Sequence, residues 1–281
     1  MSVHSSPGKP SGSHGAPQPL SIHDLKSFKQ RGERFTMLTA YDFLTAQILD
    51  EAGVPVLLVG DSLGMVMLGY DSTVPVTMDE MLHHTRAVRR GASRALVVGD
   101  MPFMSYQGST DEAIRNAGRF LKEGGANAVK LEGGGPVLDL VARLVSIGIP
   151  VMGHLGLTPQ SVNQFGGFKV QGRAADDAER ILDDAIALAD AGAFSIVLEC
   201  VPAELAARVT EAVPVPTIGI GAGAATDGQV LVIQDLLGLT AGRLPRFVKQ
   251  YANLRGQIAD AAKGFQHEVA SGDYPGPEHA Y

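Results

Sequence analysis

Short apolar runs alternate with amphipathic stretches along most of the chain. The stretches carry helix signals, such as the capping pair Thr77 and Glu80 and the apolar face that includes Ile181, Ala185 and Leu188. Eight apolar runs have the length and composition of buried strands: residues 35–40, 56–60, 95–99, 128–131, 150–153, 194–198, 216–220 and 230–233. Strands that alternate with helices predict a parallel sheet.

Eight strand–helix units in one chain of 281 residues favour closure into a (β/α)₈ barrel, which typically needs about 250 residues. An open, doubly wound sheet is the alternative, but no G-x-G-x-x-G motif follows the first strand. Residues 21–33 predict an extra helix before the barrel. The seventh and eighth runs lie too close together for a full helix, so either that helix is very short or one strand is misplaced.

Composition and charge narrow the class of protein. The net charge is −7 with no basic block, which does not favour nucleic acid or an anionic membrane surface as a partner. Cys200 is the one cysteine, and no apolar run reaches the roughly 18–20 residues of a membrane span. We therefore expect a cytoplasmic chain with three parts: a disordered tail at residues 1–20, a single barrel at residues 21–265 and a loose tail at residues 266–281.

Polar residues follow the predicted strands where they end. In a barrel these ends meet on one face, where active sites lie. The residues concerned are Tyr41, Asp42, Asp61, Ser62, Asp100, Glu132, His154, Glu199 and Asp235. Several carboxylates in one pocket repel one another unless a cation or a shared proton intervenes, and oxygen ligands without cysteine suit Mg²⁺. Lys130 is two residues before Glu132, so both side chains point to the same side of their strand.

Several of these residues also have simpler interpretations. A strand-terminal Asp can simply cap the following helix, and Asp42 and Asp235 are better interpreted as structural residues than as site residues. His154 is either a hydrogen-bonded core histidine or a catalytic group. Cys200 directly follows Glu199 and is expected to face the other way, as an inert buried thiol. The glycines at residues 219–223 form either a tight turn or a phosphate cradle.

Seven ordered blocks lie at or near the predicted strand ends. They are TAYD at residues 39–42, VGDSLG at 59–64, GDMPF at 99–103, VKLEG at 129–133, GHLGLTPQ at 153–160, LECVP at 198–202 and IGIGAG at 218–223. With these blocks the sequence resembles the ketopantoate hydroxymethyltransferase family from about residue 21 to about residue 265. The resemblance implies a (β/α)₈ barrel that assembles as a ring-based homodecamer. It also implies transfer of a one-carbon unit from 5,10-methylenetetrahydrofolate to 3-methyl-2-oxobutanoate, which gives 2-dehydropantoate for pantothenate and coenzyme A synthesis.

The resemblance also implies roles for particular residues. The implied Mg²⁺ ligands are Asp61, Asp100 and Glu132. The residues implied to contact the oxo acid are Asp61, Ser62, Asp100 and Lys130. Glu199 is the implied general base, which would remove the proton beside the ketone while Mg²⁺ stabilises the resulting enolate.

Three other functions fit the same pattern of residues. A lyase or mutase of the phosphoenolpyruvate mutase/isocitrate lyase kind shares metal–enolate chemistry, but we would expect a reactive cysteine on a mobile loop, and Cys200 lies at a strand end. An aldolase could form a Schiff base on Lys130 without a metal. A barrel that binds an oxo acid without turning it over is the third alternative.

Overall fold

The strands form a closed parallel barrel in the computed structural model, which describes residues 18–167 and 169–281. The strands are β1 (Phe35–Thr39), β2 (Val56–Val59), β3 (Leu96–Asp100), β4 (Ala128–Glu132), β5 (Val151–Gly156), β6 (Ser195–Glu199), β7 (Thr217–Ile220) and β8 (Gly228–Leu231). They follow one another in chain order, and β8 closes on β1 with Val230 opposite Met37. The predicted (β/α)₈ barrel is confirmed and the open sheet is excluded.

Helices surround the barrel and cover one of its ends. They are α1 (Ile22–Arg31), α2 (Phe43–Glu51), α3 (Leu63–Val66), α4 (Met78–Gly91), α5 (Thr110–Lys122), α6 (Leu138–Ser146), α7 (Val162–Phe165), α8 (Ala175–Asp190), α9 (Ala203–Ala212), α10 (Ile233–Leu236) and α11 (Leu254–Ser271). Leu25 of α1 is fully buried against Phe35 and Met37, so the predicted extra helix closes the N-terminal end of the barrel. None of the helices among the described residues is long and apolar enough to cross a membrane.

The connection between β7 and β8 resolves the uncertainty about the seventh helix. Residues 221–227 contain no helix, and the short helix α10 follows β8 instead. β8 begins at Gly228, two residues before the predicted start. Glycine is needed at this position because a Cβ atom would lie only 2.8 Å from the Phe35 ring. Asp227 links this connection to β7 and α1, because its Oδ2 accepts hydrogen bonds from the Thr217 amide (2.8 Å) and from Lys29 Nζ (2.9 Å).

The sequence predicted a tail at each end of the chain, and the structure tests the C-terminal one. Residues 1–17 of the predicted N-terminal tail lie outside the described residues. At the other end, residues 266–271 continue helix α11, although the sequence predicted a loose segment from residue 266. Asn253 Oδ1 caps this helix by accepting a hydrogen bond from the Gly256 amide, and Gly272 ends it with a left-handed φ of 81°. Asn253 and Gly272 thus define the two ends of α11, and the helix extends beyond residue 265, where the sequence analysis placed the end of the barrel.

Asp50, at the end of α2, is a buried carboxylate that ties this helix to the start of β3. Its oxygens accept hydrogen bonds from the amides of Ser93 (2.9 Å), Arg94 (3.0 Å) and Ala95 (2.7 Å). Burial works to raise the pKa of Asp50, but the amide donors together outweigh it and hold the pKa below its ordinary value. The charged form of Asp50 therefore stabilises the fold.

Replacing Asp50 by asparagine is expected to lower the free energy of unfolding by roughly 2 kcal/mol at neutral pH, because charge-assisted hydrogen bonds to buried amides are weakened. Since the folded state lowers the pKa of Asp50, this contribution is present at neutral pH and is lost as the pH falls through the folded pKa. Urea denaturation at neutral and acidic pH measures it. Exposed Asp71→Asn is the control, and equal losses for the two variants would contradict the assignment.

Candidate active site

The interior of the barrel changes from apolar to polar toward the C-terminal ends of its strands. Val98, Ala128, Met152 and Val197 belong to the apolar cluster inside the barrel. Because side chains alternate along a strand, the residues two positions further on face the same interior. Those residues are Asp100, Lys130, His154 and Glu199. The polar cluster that the sequence predicted therefore lies on an apolar floor.

A cavity of about 520 Å³ opens above this floor, and all eight strands or the residues that follow them contribute to its lining. It contains every residue that the sequence nominated for catalysis, substrate or metal: Asp61, Ser62, Asp100, Lys130, Glu132 and Glu199. His154 and Asp235 line it as well. Asp42 instead caps α2, where its Oδ1 accepts a hydrogen bond from the Thr45 amide at 2.9 Å, as expected of a structural residue.

Three buried carboxylates crowd one side of the cavity. Asp61, Asp100 and Glu132 are each at most 6% exposed. Asp100 Oδ2 accepts a hydrogen bond from the Asp61 amide at 3.2 Å. Burial, with the neighbouring charges of Asp100 and Glu132, raises the pKa of Asp61 well above its usual range. This side of the cavity therefore carries more negative charge than Lys130 compensates.

Lys130 is the buried cation among these carboxylates. Its Nζ lies 2.8 Å from Asp100 Oδ1 and 3.2 Å from His154 Nδ1. Burial alone would lower the pKa of Lys130, but Asp100, Glu132 and Asp61 together raise it above its ordinary value. A charged ammonium cannot attack a carbonyl, so this environment weighs against the Schiff-base aldolase.

His154 bridges two carboxylates across the cavity floor. Its Nδ1 lies 3.5 Å from Glu132 Oε1, and its Nε2 lies 3.2 Å from Glu199 Oε2. Burial and the charge of Lys130 work to lower the pKa of His154, but the adjacent carboxylates of Glu132 and Glu199 raise it to about 9. His154 is thus a buried histidine that is in hydrogen-bond contact with Lys130 and within ion-pair distance of Glu132 and Glu199.

Glu199 is the most accessible carboxylate of this cluster, with 18% of its side chain exposed. Its carbonyl accepts a hydrogen bond from the Leu157 amide at 2.8 Å. That close approach requires Gly156, where a Cβ atom would lie only 2.2 Å from the Glu199 carbonyl oxygen. Glu199 ends β6, and in an eight-stranded barrel β6 lies opposite β2, which Asp61 follows.

Cys200 does not face away from the site, although the alternation of a strand predicted this. Its φ of 49° is left-handed, which turns the chain directly after Glu199, and Cys200 becomes a partly exposed residue of the cavity wall. Burial, with a smaller contribution from the charge of Glu199, raises the pKa of Cys200 to about 11. A thiol that stays protonated is a poor nucleophile, which counts against a reactive cysteine of the lyase and mutase kind.

Ser62 and Asp235 also line the cavity. Ser62 Oγ lies 2.9 Å from the hydroxyl of Tyr41, and Ser62 directly precedes helix α3. Asp235 Oδ1 accepts a hydrogen bond from Thr240 Oγ1 at 2.6 Å, which ties the end of the barrel to the following loop. Each of the two side chains is thus in hydrogen-bond contact with one other side chain of the protein.

Two buried residues of the site, Gln160 and Tyr106, were not nominated from the sequence. Gln160 Nε2 donates to Asp61 Oδ2 at 2.9 Å, and the Tyr106 hydroxyl donates to Gln160 Oε1 at 2.9 Å. Gln160 is the last residue of the block GHLGLTPQ, so that block was the available signal. Tyr106 lies in a loop after β3 and carried no signal in the sequence pattern.

The carboxylates can serve a hard cation with few protein ligands. No group of three His, Cys, Asp or Glu side chains within residues 18–167 and 169–281 is arranged to enclose a metal ion by itself. Glu132 Oε1, however, is buried and accepts no hydrogen bond from the described residues. Mg²⁺ usually takes one or two protein carboxylates and completes its shell with water and substrate oxygens, so the donor set fits this ion.

A (β/α)₈ barrel with convergent carboxylates at the C-terminal ends of its strands is the architecture of a barrel enzyme. The model of the ketopantoate hydroxymethyltransferase family matches residues 19–277, and the chain belongs to this family. The 3-methyl-2-oxobutanoate hydroxymethyltransferase of Carboxydothermus hydrogenoformans is 61% identical over 262 residues, which cover 93% of this chain and 95% of the relative. That of Syntrophus aciditrophicus is 61% identical over 257 residues, covering 92% and 94%.

Solved structures with the same fold are much more distant in sequence. A phosphonopyruvate hydrolase in complex with oxalate and Mg²⁺ has a TM-score of 0.59 at 12% identity, covering 92% of this chain and 93% of that chain. A 2,3-dimethylmalate lyase of the PEP mutase/isocitrate lyase superfamily has a TM-score of 0.58 at 16% identity, covering 93% of both chains. At these identities the likeness supports the barrel fold alone.

Proposed function

We propose that this chain transfers a hydroxymethyl group to 3-methyl-2-oxobutanoate, with 5,10-methylenetetrahydrofolate as the donor and 2-dehydropantoate as the product. The names of relatives at 61% identity support the reaction. The arrangement of the cavity carries the proposal: a buried cluster of Asp61, Asp100, Glu132 and Lys130 lies on one side, and the accessible carboxylate of Glu199 lies on another strand. Such an arrangement suits proton abstraction beside a carbonyl whose charge is stabilised elsewhere in the site.

Asp61 and Asp100 are the proposed Mg²⁺ ligands, with Glu132 completing the metal site. Burial, followed by the charges of Asp100 and Glu132, raises the pKa of Asp61, and a bound cation would favour the charged carboxylate. When bound, Mg²⁺ supplies Lewis-acid stabilisation of the negative charge that develops on the ketone oxygen. Because the described residues do not enclose the ion by themselves, the oxo acid and water are expected to complete its shell.

Three residues of the cavity have proposed roles in binding the oxo acid and in removing its proton. The ammonium of Lys130 offsets the charge of the substrate carboxylate, and Ser62 Oγ can donate a hydrogen bond to it. Glu199 accepts the proton from C3, so the electron pair of the C–H bond passes into an enolate. This carbon then forms a bond to the methylene carbon of the donor, whose two bonds to the folate nitrogens N5 and N10 break. The nitrogens keep both electron pairs and take up two protons, one from Glu199 and one from a water molecule, so that tetrahydrofolate leaves. The remaining hydroxide of that water becomes the oxygen of the new hydroxymethyl group.

The part of the cavity away from the carboxylate cluster is the proposed position of the folate donor. Its wall is apolar at Leu244 and Phe247 and cationic at Lys169 and Arg243. Neither cation forms an ion pair with any residue that the structure describes. A reduced folate has a planar ring system and a glutamate tail with two carboxylates. The buried carboxylates of the cavity would repel this tail, and the two cations would attract it.

Arg243→Ala is expected to raise KM for the folate donor about tenfold, because one charge-assisted contact to a partly solvated carboxylate is lost. Deuterium exchange at C3 without folate should stay unchanged, since Arg243 pairs with none of the described carboxylates. Steady-state kinetics and proton NMR measure the two effects. Exposed Arg246→Ala, which alters a basic residue outside the cavity lining, is the control. A matching rise in KM for Arg246→Ala would show that only the net charge of the loop matters.

Assembly into a homodecamer and a cytoplasmic location remain predictions. Helix α11 supports assembly, because Ile258, Phe265 and Val269 lie on one helical face and are 59%, 56% and 49% exposed. Light scattering that showed a monomer at micromolar concentration would overturn the oligomer without affecting the proposed chemistry.

Hydrogen–deuterium exchange at C3 of 3-methyl-2-oxobutanoate tests the proposed function most directly. We expect exchange that requires Mg²⁺ and proceeds without folate, and product formation that requires both. Binding of the oxo acid with neither exchange nor product would instead support a binding barrel. Trapping of the substrate on Lys130 by borohydride would support the aldolase.

A further inference from the structure

Gln160 is a buried amide that joins the ends of three neighbouring strands. It is 4% exposed, and its Nε2 donates to Asp61 Oδ2 and to the carbonyl oxygen of Met101, both at 2.9 Å. Its backbone amide donates to Glu132 Oε2 at 3.1 Å. Gln160 therefore contacts two of the three proposed metal ligands and the residue that follows the third, Asp100.

We propose that Gln160 is a positioning residue that fixes the orientation of the Asp61 and Glu132 carboxylates, an inference that rests on the proposed metal site. Gln160 binds one oxygen of each carboxylate, Asp61 Oδ2 and Glu132 Oε2. The other oxygen of Glu132, Oε1, has no hydrogen-bond partner among the described residues, and Asp61 Oδ1 accepts no hydrogen bond there either. Gln160 therefore holds one oxygen of each carboxylate. The other oxygen accepts no hydrogen bond from the described residues and can face a cation, and His154 Nδ1 lies 3.5 Å from Glu132 Oε1.

The orientation of the Gln160 amide is determined by its neighbours. Its Oε1 accepts hydrogen bonds from the Tyr106 hydroxyl at 2.9 Å and from Gln107 Nε2 at 3.1 Å. The Tyr106 hydroxyl in turn accepts a hydrogen bond from the Glu132 amide at 3.0 Å. If the amide were flipped, its NH₂ group would face the donor Gln107, and its oxygen would face two acceptors. The amide must therefore present its NH₂ group to Asp61.

A neutral donor is the appropriate group at this position. Asp61, Asp100 and Glu132 repel one another, so without a hydrogen-bond donor the Asp61 carboxylate would rotate away from its neighbours. A lysine or arginine could also hold it, but an additional cation would compete with a metal ion for the same charge. The Gln160 amide holds the carboxylate and leaves the charge of the site unchanged.

Two substitutions at Gln160 test this role. Gln160→Glu keeps the size of the side chain but replaces the donating NH₂ group by a carboxylate oxygen. This oxygen would face Asp61 and the Met101 carbonyl, which are both acceptors. Gln160→Leu removes the side-chain hydrogen bonds and keeps the backbone bond to Glu132. We expect both variants to bind Mg²⁺ about 10–100-fold more weakly in calorimetric titrations with the oxo acid present, the usual effect of losing an outer partner of a ligand. Excess Mg²⁺ should restore part of the turnover.

The control is Gln30→Glu, the same chemical change at an exposed position of α1 near the opposite end of the barrel. It should leave Mg²⁺ affinity and turnover unchanged. If the Gln160 variants fold poorly, Tyr106→Phe provides a milder change, because it removes one donor to Gln160 Oε1 and leaves Gln160 in place. We expect it to weaken Mg²⁺ binding by less than the Gln160 variants do.

A crystal structure of metal-free Gln160→Leu separates this inference from the metal proposal. We expect the Asp61 carboxylate to rotate away from the position it has in the parent protein. If Asp61 kept its orientation, the inference would be overturned, whatever the metal affinity. Lowered stability with unchanged Mg²⁺ affinity would also overturn it, since Gln160 would then only stabilise the loop. If the parent protein itself bound no Mg²⁺, the metal proposal would fail, while the structure of the variant would still decide whether Gln160 orients Asp61.

Discussion

Glu199→Gln is expected to slow both deuterium exchange at C3 and overall turnover by about 10²–10⁴-fold, the usual contribution of a general base. Glutamine has nearly the same size and keeps an oxygen near His154 Nε2, which lies 3.2 Å from Glu199 Oε2, but it cannot accept the proton. Exchange followed by NMR and steady-state turnover measure the two effects. Mg²⁺ affinity and binding of the oxo acid should change little, because Asp61, Asp100 and Lys130 are unaltered.

The alternative roles of Glu199 have different signatures. If Glu199 were a metal ligand, Mg²⁺ affinity would fall first and excess Mg²⁺ would restore part of the rate. If it only capped the helix that follows, the main change would be a loss of stability of about 1 kcal/mol. Normal exchange combined with impaired transfer from folate would move Glu199 to the second half of the reaction and refute its assignment as the base for C3.

Asp100→Ala is expected to lower turnover by about 10³-fold or more, because the site loses a charged oxygen ligand for the metal and Lys130 loses its nearest carboxylate, 2.8 Å from Nζ. Asp61→Ala should have a similar effect. Both variants should remain folded, since each removes one of several mutually repelling buried charges. Turnover as a function of Mg²⁺ concentration and circular dichroism measure these two properties.

Asp42→Ala is the matched control for these variants. Asp42 also follows a strand, but its Oδ1 caps α2 through the Thr45 amide at 2.9 Å, so we expect a loss of stability of about 1 kcal/mol and normal turnover. Normal turnover of Asp61→Ala and Asp100→Ala in the presence of EDTA would show that the metal site is misplaced.

The barrel could be predicted from sequence because its signals are local. Apolar runs that end in Gly, Asp or Glu and alternate with capped helices require only neighbouring residues to be recognised. The β7–β8 connection departed from this pattern. There, Gly228 and Gln229 form the start of a strand although neither is a typical strand residue, because β8 pairs with both β1 and β7 and the Phe35 ring leaves no space for a side chain at residue 228.

That the candidate site residues share one cavity could be predicted from the sequence alone. Asp61, Asp100, Lys130, Glu132 and Glu199 lie at or just after the C-terminal ends of their strands, and in a closed barrel these ends converge on one face. This conclusion needs only the order of the strands and the position of each residue within its strand, and both can be read from a periodic pattern.

The contacts among the site residues could be established only from the folded structure. Cys200 faces the cavity because its backbone is left-handed, which the alternation of a strand cannot reveal. The hydrogen bond between Gln160 and Asp61 joins residues that are 99 positions apart along the chain. Such a contact depends on how the loops pack over the end of the barrel, and loop packing leaves no periodic signal in the sequence from which it could be predicted.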